Sequence, residues 1–247
     1  MPLIDPLLGL PLAEVFLGYV GVIAGLLALV LIRVLPFGRA LIGVTVIAAW
    51  LGYAGMLGYL GIVGDPNRMP PGIFLLLAPI ITFVFLVLGR SPVGRYLATS
   101  LPLALIFGLQ TFRIGVELTL SELANAGLTI RLLTLSGGNI EMLIGFTAPL
   151  IAWIATRGAG GRRIALIWNV VGLLSLLNVA TRAVLTAPGA LNLIHAEVPN
   201  LAMGTFPFSY IPGFMAPLAM MLHVLAFRAL RAASAPRAPA SQLRYAA

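Results

Sequence analysis

The chain has 247 residues, 60% of them hydrophobic and 9% charged, whereas soluble domains are about 45–50% apolar and about 25% charged, so the composition predicts an integral membrane protein. Cysteine is absent, which excludes disulfides, thiol catalysis, iron–sulfur clusters and thiolate metal sites. The formal net charge is +8, but all fifteen basic residues are arginine, and the absence of lysine excludes a Schiff base and therefore bound retinal.

Seven stretches are long and apolar enough to predict membrane-spanning helices, because a span needs about 20 mostly apolar residues. In chain order they cover residues 13–34, 40–63, 72–89, 96–120, 139–156, 163–186 and 208–230. Runs rich in Gly, Pro and Ser separate most of them. We therefore predict an all-α fold with a single domain of seven transmembrane helices over residues 1–231. Residues 232–247 have too little apolar surface to fold and are predicted to be a disordered cytoplasmic tail.

The charged residues alternate between the two predicted sides of the membrane. One side carries eleven arginines and no carboxylate: Arg33, Arg39, Arg90, Arg95, Arg157, Arg162, Arg163, Arg228, Arg231, Arg237 and Arg244. By the positive-inside rule this side is cytoplasmic, so the N-terminus is predicted outside and the C-terminus inside. The same rule explains the basic net charge without nucleic-acid binding.

Small residues follow a regular spacing on the first two predicted helices. Glycines recur at Gly18, Gly21 and Gly25, and at every third position from Gly52 to Gly64. Small residues at such spacing let helix backbones approach closely, so we expect these two helices to pack together. The alternative is a groove for a flat or chain-like lipid.

Three predicted helices share an Ala-Pro pair. The prolines are Pro79, Pro149 and Pro217, on the third, fifth and seventh spans. Proline inside a helix removes one backbone hydrogen bond and exposes the carbonyl four residues earlier. The repeat indicates either ordinary kinks or helices that open a cavity between them, as in transporters with internal repeats.

Polar side chains gather at one predicted depth, in the outer half of three helices. The segment LIFGLQTFRIGVELTL and the sixth span each place three polar residues at i, i+3 and i+7, on one helix face. Intramembrane charges cost roughly 2.5–3.5 kcal/mol each when isolated, so they are expected to face the bundle interior in pairs. The candidate ligand-binding residues are Gln110, Arg113, Glu117, Glu141, Asn178 and Arg182.

Two interpretations of this cluster remain open from the sequence. In the first, Arg113 pairs with Glu117 and Arg182 with Glu141, so that the charges are purely structural. In the second, one arginine stays unpaired and binds an anionic head group or carboxylate. Asn139 and Glu141 also fit the start of a helix, as an N-cap and a first-turn acid.

The two long outer loops, 121–138 and 187–207, contain too much Leu and Ile for solvated loops and are expected to cover the outer site. His195 and Glu197 lie in the second loop, but no third metal ligand accompanies them. His223 is expected to be a packed polar residue, because the two histidines lie on opposite sides of the membrane and cannot ligate one haem. We therefore predict no metal and no cofactor.

The strings QTFRIGVELTLSELANAG, GNIEMLIGFTAPL and PNLAMGTFPFSYIPGFMAPL resemble a group of uncharacterised bacterial multi-pass membrane proteins. This resemblance implies a bacterial inner-membrane location and no established activity. The predicted helix count is also similar to that of SWEET-type sugar transporters. Their Pro-Gln signature is replaced here by Ala-Pro-Leu, so that similarity concerns the fold alone.

Three functional hypotheses follow. The first is a membrane protein whose outward-facing polar site binds a small or lipid-like anionic ligand, with transport of that ligand left open. The second is a receptor or membrane-complex subunit with structural intramembrane charges. The third is an intramembrane enzyme that uses Glu117, or His195 with Glu197, as acid or base, although no catalytic motif supports it. Membrane lipids are the partners that the composition predicts directly.

Overall fold

The apolar stretches form helices in the computed structural model, which describes residues 11–196, 198 and 200–234. Eight helices lie within these residues: α1 Leu12–Val34, α2 Phe37–Tyr59, α3 Phe74–Arg90, α4 Pro92–Ser100, α5 Leu103–Asn125, α6 Glu141–Ala155, α7 Gly158–Leu185 and α8 Ile211–Ser234. Short 3₁₀ turns occur at Arg131–Leu133, Leu135–Gly137 and Ala202–Gly204. The prediction of an all-α chain is confirmed.

Several helices are long and apolar enough to cross a membrane. Among the described residues, α1, α2, α5, α7 and α8 meet this requirement, and α3 with α4 adds a sixth if that pair, bent by 74°, is one span. The predicted span at 139–156 corresponds to α6, which has only 15 residues. Of the five, α8 is the most deeply buried and α1 the least. The chain is therefore an all-helical protein with a central α8.

The predicted span at 96–120 is wrong in its boundaries. Proline disfavours helical backbone at the residue before it, and Leu101, which precedes Pro102, is extended (φ −84°, ψ 129°). The helical region therefore divides into α4 and α5, and α5 continues to Asn125. This shift of five to seven residues toward the C-terminus changes the depth of every polar residue on α5.

The corner between α3 and α4 is held by polar contacts. The hydroxyl of Ser91 accepts hydrogen bonds from the first backbone N–H groups of α4 and donates to the carbonyl of Val87 (2.6 Å). Arg228 of α8 donates to the carbonyls of Leu88 (2.6 Å) and Ser91 (3.1 Å). Carbonyls that end a helix are thus satisfied by a cation from the central helix.

Two of the prolines expose carbonyls that α2 satisfies. Tyr53 donates its hydroxyl to the carbonyl of Leu75 (3.2 Å), four residues before Pro79. Trp50 donates its indole N–H to the carbonyl of Gly213 (2.7 Å), four residues before Pro217. One face of α2 therefore connects the proline-containing parts of α3 and α8.

The glycines of the first two helices do not pack as expected. Within the described residues, no atom lies within 4 Å of a Cβ added at Gly18, Gly21, Gly25 or Gly52. Gly55 and Gly58 instead lie against the side chains of Tyr210 and Ser209, at the start of α8. The close approach made by glycine is therefore between α2 and the segment leading into α8. Helices α1 and α2 are in contact, as predicted, but these glycines do not make that contact.

The helix bundle has two ends, which differ in the length of their connections. The arginine end holds the short connections 34–37, 90–103 and 155–158. The loop end holds the longer connections 60–73, 126–140 and 186–210. The helical residues 232–234 still belong to α8, and the remainder of the predicted tail, 235–247, lies outside the described residues.

Candidate functional site

Helix α5 carries three of the predicted site residues into the bundle interior. Gln110, Arg113 and Glu117 are 1%, 2% and 1% exposed. Residues 109–112 form a 3₁₀ turn within α5, directly before Arg113. Because α5 begins at Leu103, Arg113 is near the middle of this helix rather than in its outer half. The Gln110 amide donates to the carbonyl of Ala219 on α8 (3.5 Å).

Arg113 joins α5 to two other helices. Its Nη1 atom lies 3.1 Å from Oε2 of Glu141, at the start of α6. Its Nη2 atom lies 2.8 Å from Nε2 of His223 on α8. The predicted intrahelical pair of Arg113 with Glu117 is therefore wrong, because the guanidinium extends sideways to α6 and α8 while Glu117 lies one turn nearer the loop end.

His223 extends this polar network to α7. Arginine can only donate, so Nε2 of His223 accepts from Arg113 and its proton is on Nδ1. Nδ1 then donates to Oδ1 of Asn169 (2.8 Å), and the Asn169 amide donates to the His223 carbonyl (3.1 Å). We call Glu141, Arg113, His223 and Asn169 the four-helix polar chain, since each member lies on a different helix.

Glu117 has hydrogen-bond donors but no cationic partner among the described residues. Its carboxylate accepts from the backbone N–H of Leu135 (2.5 Å) and from the side-chain amide of Asn139 (3.0 Å). The Asn139 side chain also accepts from the backbone N–H of Glu141 (3.0 Å), although the N-cap position of α6 is Ile140 and not Asn139 as predicted. Asn139 thus connects the two buried carboxylate residues.

Arg182 and Asn178 do not take the positions expected of them. Arg182 donates to the carbonyls of Leu132 (3.2 Å) and Gly137 (3.1 Å), so its predicted pair with Glu141 is wrong. The guanidinium instead holds the 126–140 loop against α7. Asn178 is exposed, because it lies about 60° around α7 from the buried Ser175.

A cavity of about 140 Å³ runs from this cluster toward the loop end. It is far larger than the roughly 10–15 Å³ that a single water requires. The walls are mainly Leu, Val, Ile, Ala, Met and Pro side chains from α5, α7, α8 and the loops. The polar and charged residues that line it are Asp65, Arg113, Glu117, Asn139, Glu141 and Asn200. Of the predicted site, Arg113, Glu117 and Glu141 therefore line the cavity, while Gln110, Asn178 and Arg182 do not.

The outer loops contribute to this cavity in part. The segment 187–204 supplies several wall residues, including Leu191 and Met203, and so agrees with the expectation that it covers the site. Asn200 in this segment accepts from Thr129 (2.9 Å) and thereby joins the two long loops. Glu197, the predicted neighbour of His195, lies outside the described residues.

Two members of the polar chain were missed as site residues. The sequence predicts His223 only as a packed polar residue and gives Asn169 no role. The signal was present, because buried polar residues on spanning helices generally meet one another. The predicted span begins at residue 96, whereas α5 begins at Leu103. Arg113 was therefore expected nearer the outer face than it is, and its contact with His223 was missed. Among the described residues, no group of three or more His, Asp or Glu side chains could hold a metal ion.

The comparisons with known proteins identify a family whose function is unknown. Neither a curated protein nor a solved structure matches the chain significantly. A family described as "Domain of unknown function (DUF8737)" matches residues 70–231, which include α3 to α7, most of α8 and the whole four-helix polar chain. The match covers well over half of the chain and is consistent with the resemblance to an uncharacterised family. The chain is therefore a member of the DUF8737 family.

Proposed function

We propose that this protein binds a small, lipid-like ligand in the cavity between Arg113 and the loop end. The observation that carries the proposal is the cavity itself, since its apolar walls converge on one wall of buried polar groups. A concave, mostly apolar pocket with a few placed polar groups is the usual form of a small-molecule site. The described cavity ends at the level of Arg113, which favours binding over passage through the bundle.

We further propose a bacterial inner-membrane location with seven crossings. Counting α6 and the bent α3–α4 pair as spans gives seven, and the arginine end is then cytoplasmic by the positive-inside rule. The cavity would in that orientation open outward. A receptor or complex subunit is the second candidate function, and it is favoured by the mutual pairing of Arg113, Glu141 and His223.

The anionic head group expected from the sequence has little support from the geometry. That expectation required an arginine free of other partners beside the ligand. The charge of Arg113 is paired with Glu141, although its Nε atom has no hydrogen-bond partner among the described residues. Arg182 donates to two loop carbonyls and does not line the cavity. The proposed ligand is therefore lipid-like, without an anionic head group.

The proposal is tested by mass spectrometry of molecules that co-purify with the protein in mild detergent. Ala183 lines the cavity, so Ala183→Phe should fill it and remove the bound molecule. Ala49→Phe on the exposed face of α2 is the matched control and should retain it. The proposal is wrong if both folded variants and the unmodified protein carry the same molecules in the same amounts.

A further inference from the structure

We propose that the cavity selects a ligand with a single positively charged head group, an organic ammonium, on an otherwise apolar body. This inference rests on the proposed function and specifies the chemistry of the ligand. It is carried by the charges on the cavity wall and by one buried oxygen atom that has no partner.

The charged residues of the cavity wall are predominantly acidic. Among the described lining residues, Asp65, Glu117 and Glu141 are acids and Arg113 is the single base. Asp65 is exposed at the loop end, where water screens its charge. At the buried end, Arg113 offsets one of the two glutamates, so the fully ionised cluster carries one excess negative charge. A monocation would balance it.

An acceptor in this cluster is also unused. Oε1 of Glu141 is buried and has no hydrogen-bond partner among the described residues, while Oε2 faces Arg113. Nε and Nη1 of Arg113 also lack hydrogen-bond partners there, but the charge of Arg113 is already paired with Glu141, so the excess charge is that of Glu117. A buried acceptor without a donor costs free energy, so it favours a ligand that donates there. An ammonium group supplies both the donor and the positive charge.

The apolar part of the cavity wall indicates that the ammonium group is attached to an apolar body. Leu120, Leu176 and Met215 are among the apolar residues that surround the cavity. A bare metal ion needs several oxygen or nitrogen ligands, and the described residues offer no group of three such acidic or histidine side chains. An apolar amine is therefore the ligand class that fits both parts of the cavity.

The experiment compares three probes of one shape: hexylamine, hexanoate and hexan-1-ol. Binding to the purified, unmodified protein in detergent is measured by calorimetry at neutral pH. We expect hexylammonium to bind at least about tenfold more tightly than either other probe, because only it is paired with the excess charge. This comparison needs no variant and so does not depend on a substitution that could prevent folding.

Two glutamine variants then test which glutamate causes the preference for hexylammonium. Glu117→Gln removes the excess charge and keeps the Arg113–Glu141 pair, so hexylammonium should lose most of its advantage over hexan-1-ol. Glu122→Gln is the matched control on the same helix, because Glu122 does not line the cavity, and the preference should persist. A preference that is identical in both folded variants would overturn the proposal.

The outcomes also separate this inference from the proposed function. If all three probes bind equally and Ala183→Phe abolishes their binding, the cavity is a ligand site and the ammonium assignment is wrong. Tighter binding of hexanoate leads to the same conclusion. If none of the probes binds to the unmodified protein, and nothing co-purifies with it, both proposals fail.

Discussion

At the scale of single residues, several buried polar side chains of the protein pair with one another across helices. Arg113 contacts Glu141 and His223, and His223 contacts Asn169. In the buried interior of the bundle, removal of one member leaves a polar group that has no water to replace its partner. The loss of stability therefore comes mainly from the remaining polar group, which is left buried without a partner.

Two asparagines of α7 provide a matched test of this argument. Asn169→Leu removes the acceptor for Nδ1 of His223 and the donor to its carbonyl, so we expect a loss of about 1–3 kcal/mol in the free energy of unfolding. Asn178→Leu replaces an exposed amide on an apolar surface and should be neutral or slightly stabilising. Unfolding in detergent, followed by tryptophan fluorescence, measures both. Equal effects of the two substitutions would mean that the Asn169–His223 contact contributes nothing.

At the scale of helices, prolines and aromatic donors act together. Pro79 and Pro217 leave the carbonyls of Leu75 and Gly213 without their helical donors, and α2 provides replacements from Tyr53 and Trp50. The prolines thus create acceptors on the sides of α3 and α8, and those acceptors fix α2 against both helices. The prolines of α3 and α8 therefore contribute to helix packing, whether or not they also open the cavity.

The tyrosines of α2 allow this role to be measured. Tyr53→Phe removes the donor to Leu75 and should lower the free energy of unfolding by about 0.5–1.5 kcal/mol. Tyr59→Phe is the control, since Tyr59 is 79% exposed, and we expect no change. In a Pro79→Ala background residue 79 regains its backbone N–H, so Tyr53→Phe should then cost less. Thermal unfolding of the four proteins gives the coupling, and strict additivity would contradict it.

The positions of the helices were predictable where hydropathy alone determines them. Helix boundaries and side-chain pairs that depend on one or two residues were less predictable. The apolar runs of α1, α2, α7 and α8 were located to within five residues at each end, because length and hydropathy suffice. The break at Pro102 was missed, since apolar residues continue on both sides of it. That one error moved Arg113 outward and concealed its contact with His223. Pairing partners such as Glu141 depend on side-chain direction, which spacing along one helix does not determine.

At the scale of the whole molecule, the number of crossings depends on α6 and on the α3–α4 corner. Helix α6 has 15 residues, or about 22 Å at 1.5 Å per residue, against a hydrocarbon core of about 30 Å. A short helix can still cross if the bilayer thins locally or if polar residues at its ends extend to the interface. Glu141 and Asn139 are buried by other helices rather than by lipid, which reduces the apolar length that α6 needs.

The absence of cysteine makes this topology directly testable. Single cysteines at Asn67 and Ser136, both exposed at the loop end, and at Gly160, exposed at the arginine end, each introduce the sole thiol of the chain. If α6 crosses and the arginine end is cytoplasmic, a membrane-impermeant maleimide labels Asn67→Cys and Ser136→Cys in intact cells. It should label Gly160→Cys only after the membrane is permeabilised. Labelling of Ser136→Cys and Gly160→Cys from the same side would mean that α6 does not cross. Labelling of Gly160→Cys alone in intact cells would invert the orientation and put the mouth of the cavity on the cytoplasmic side.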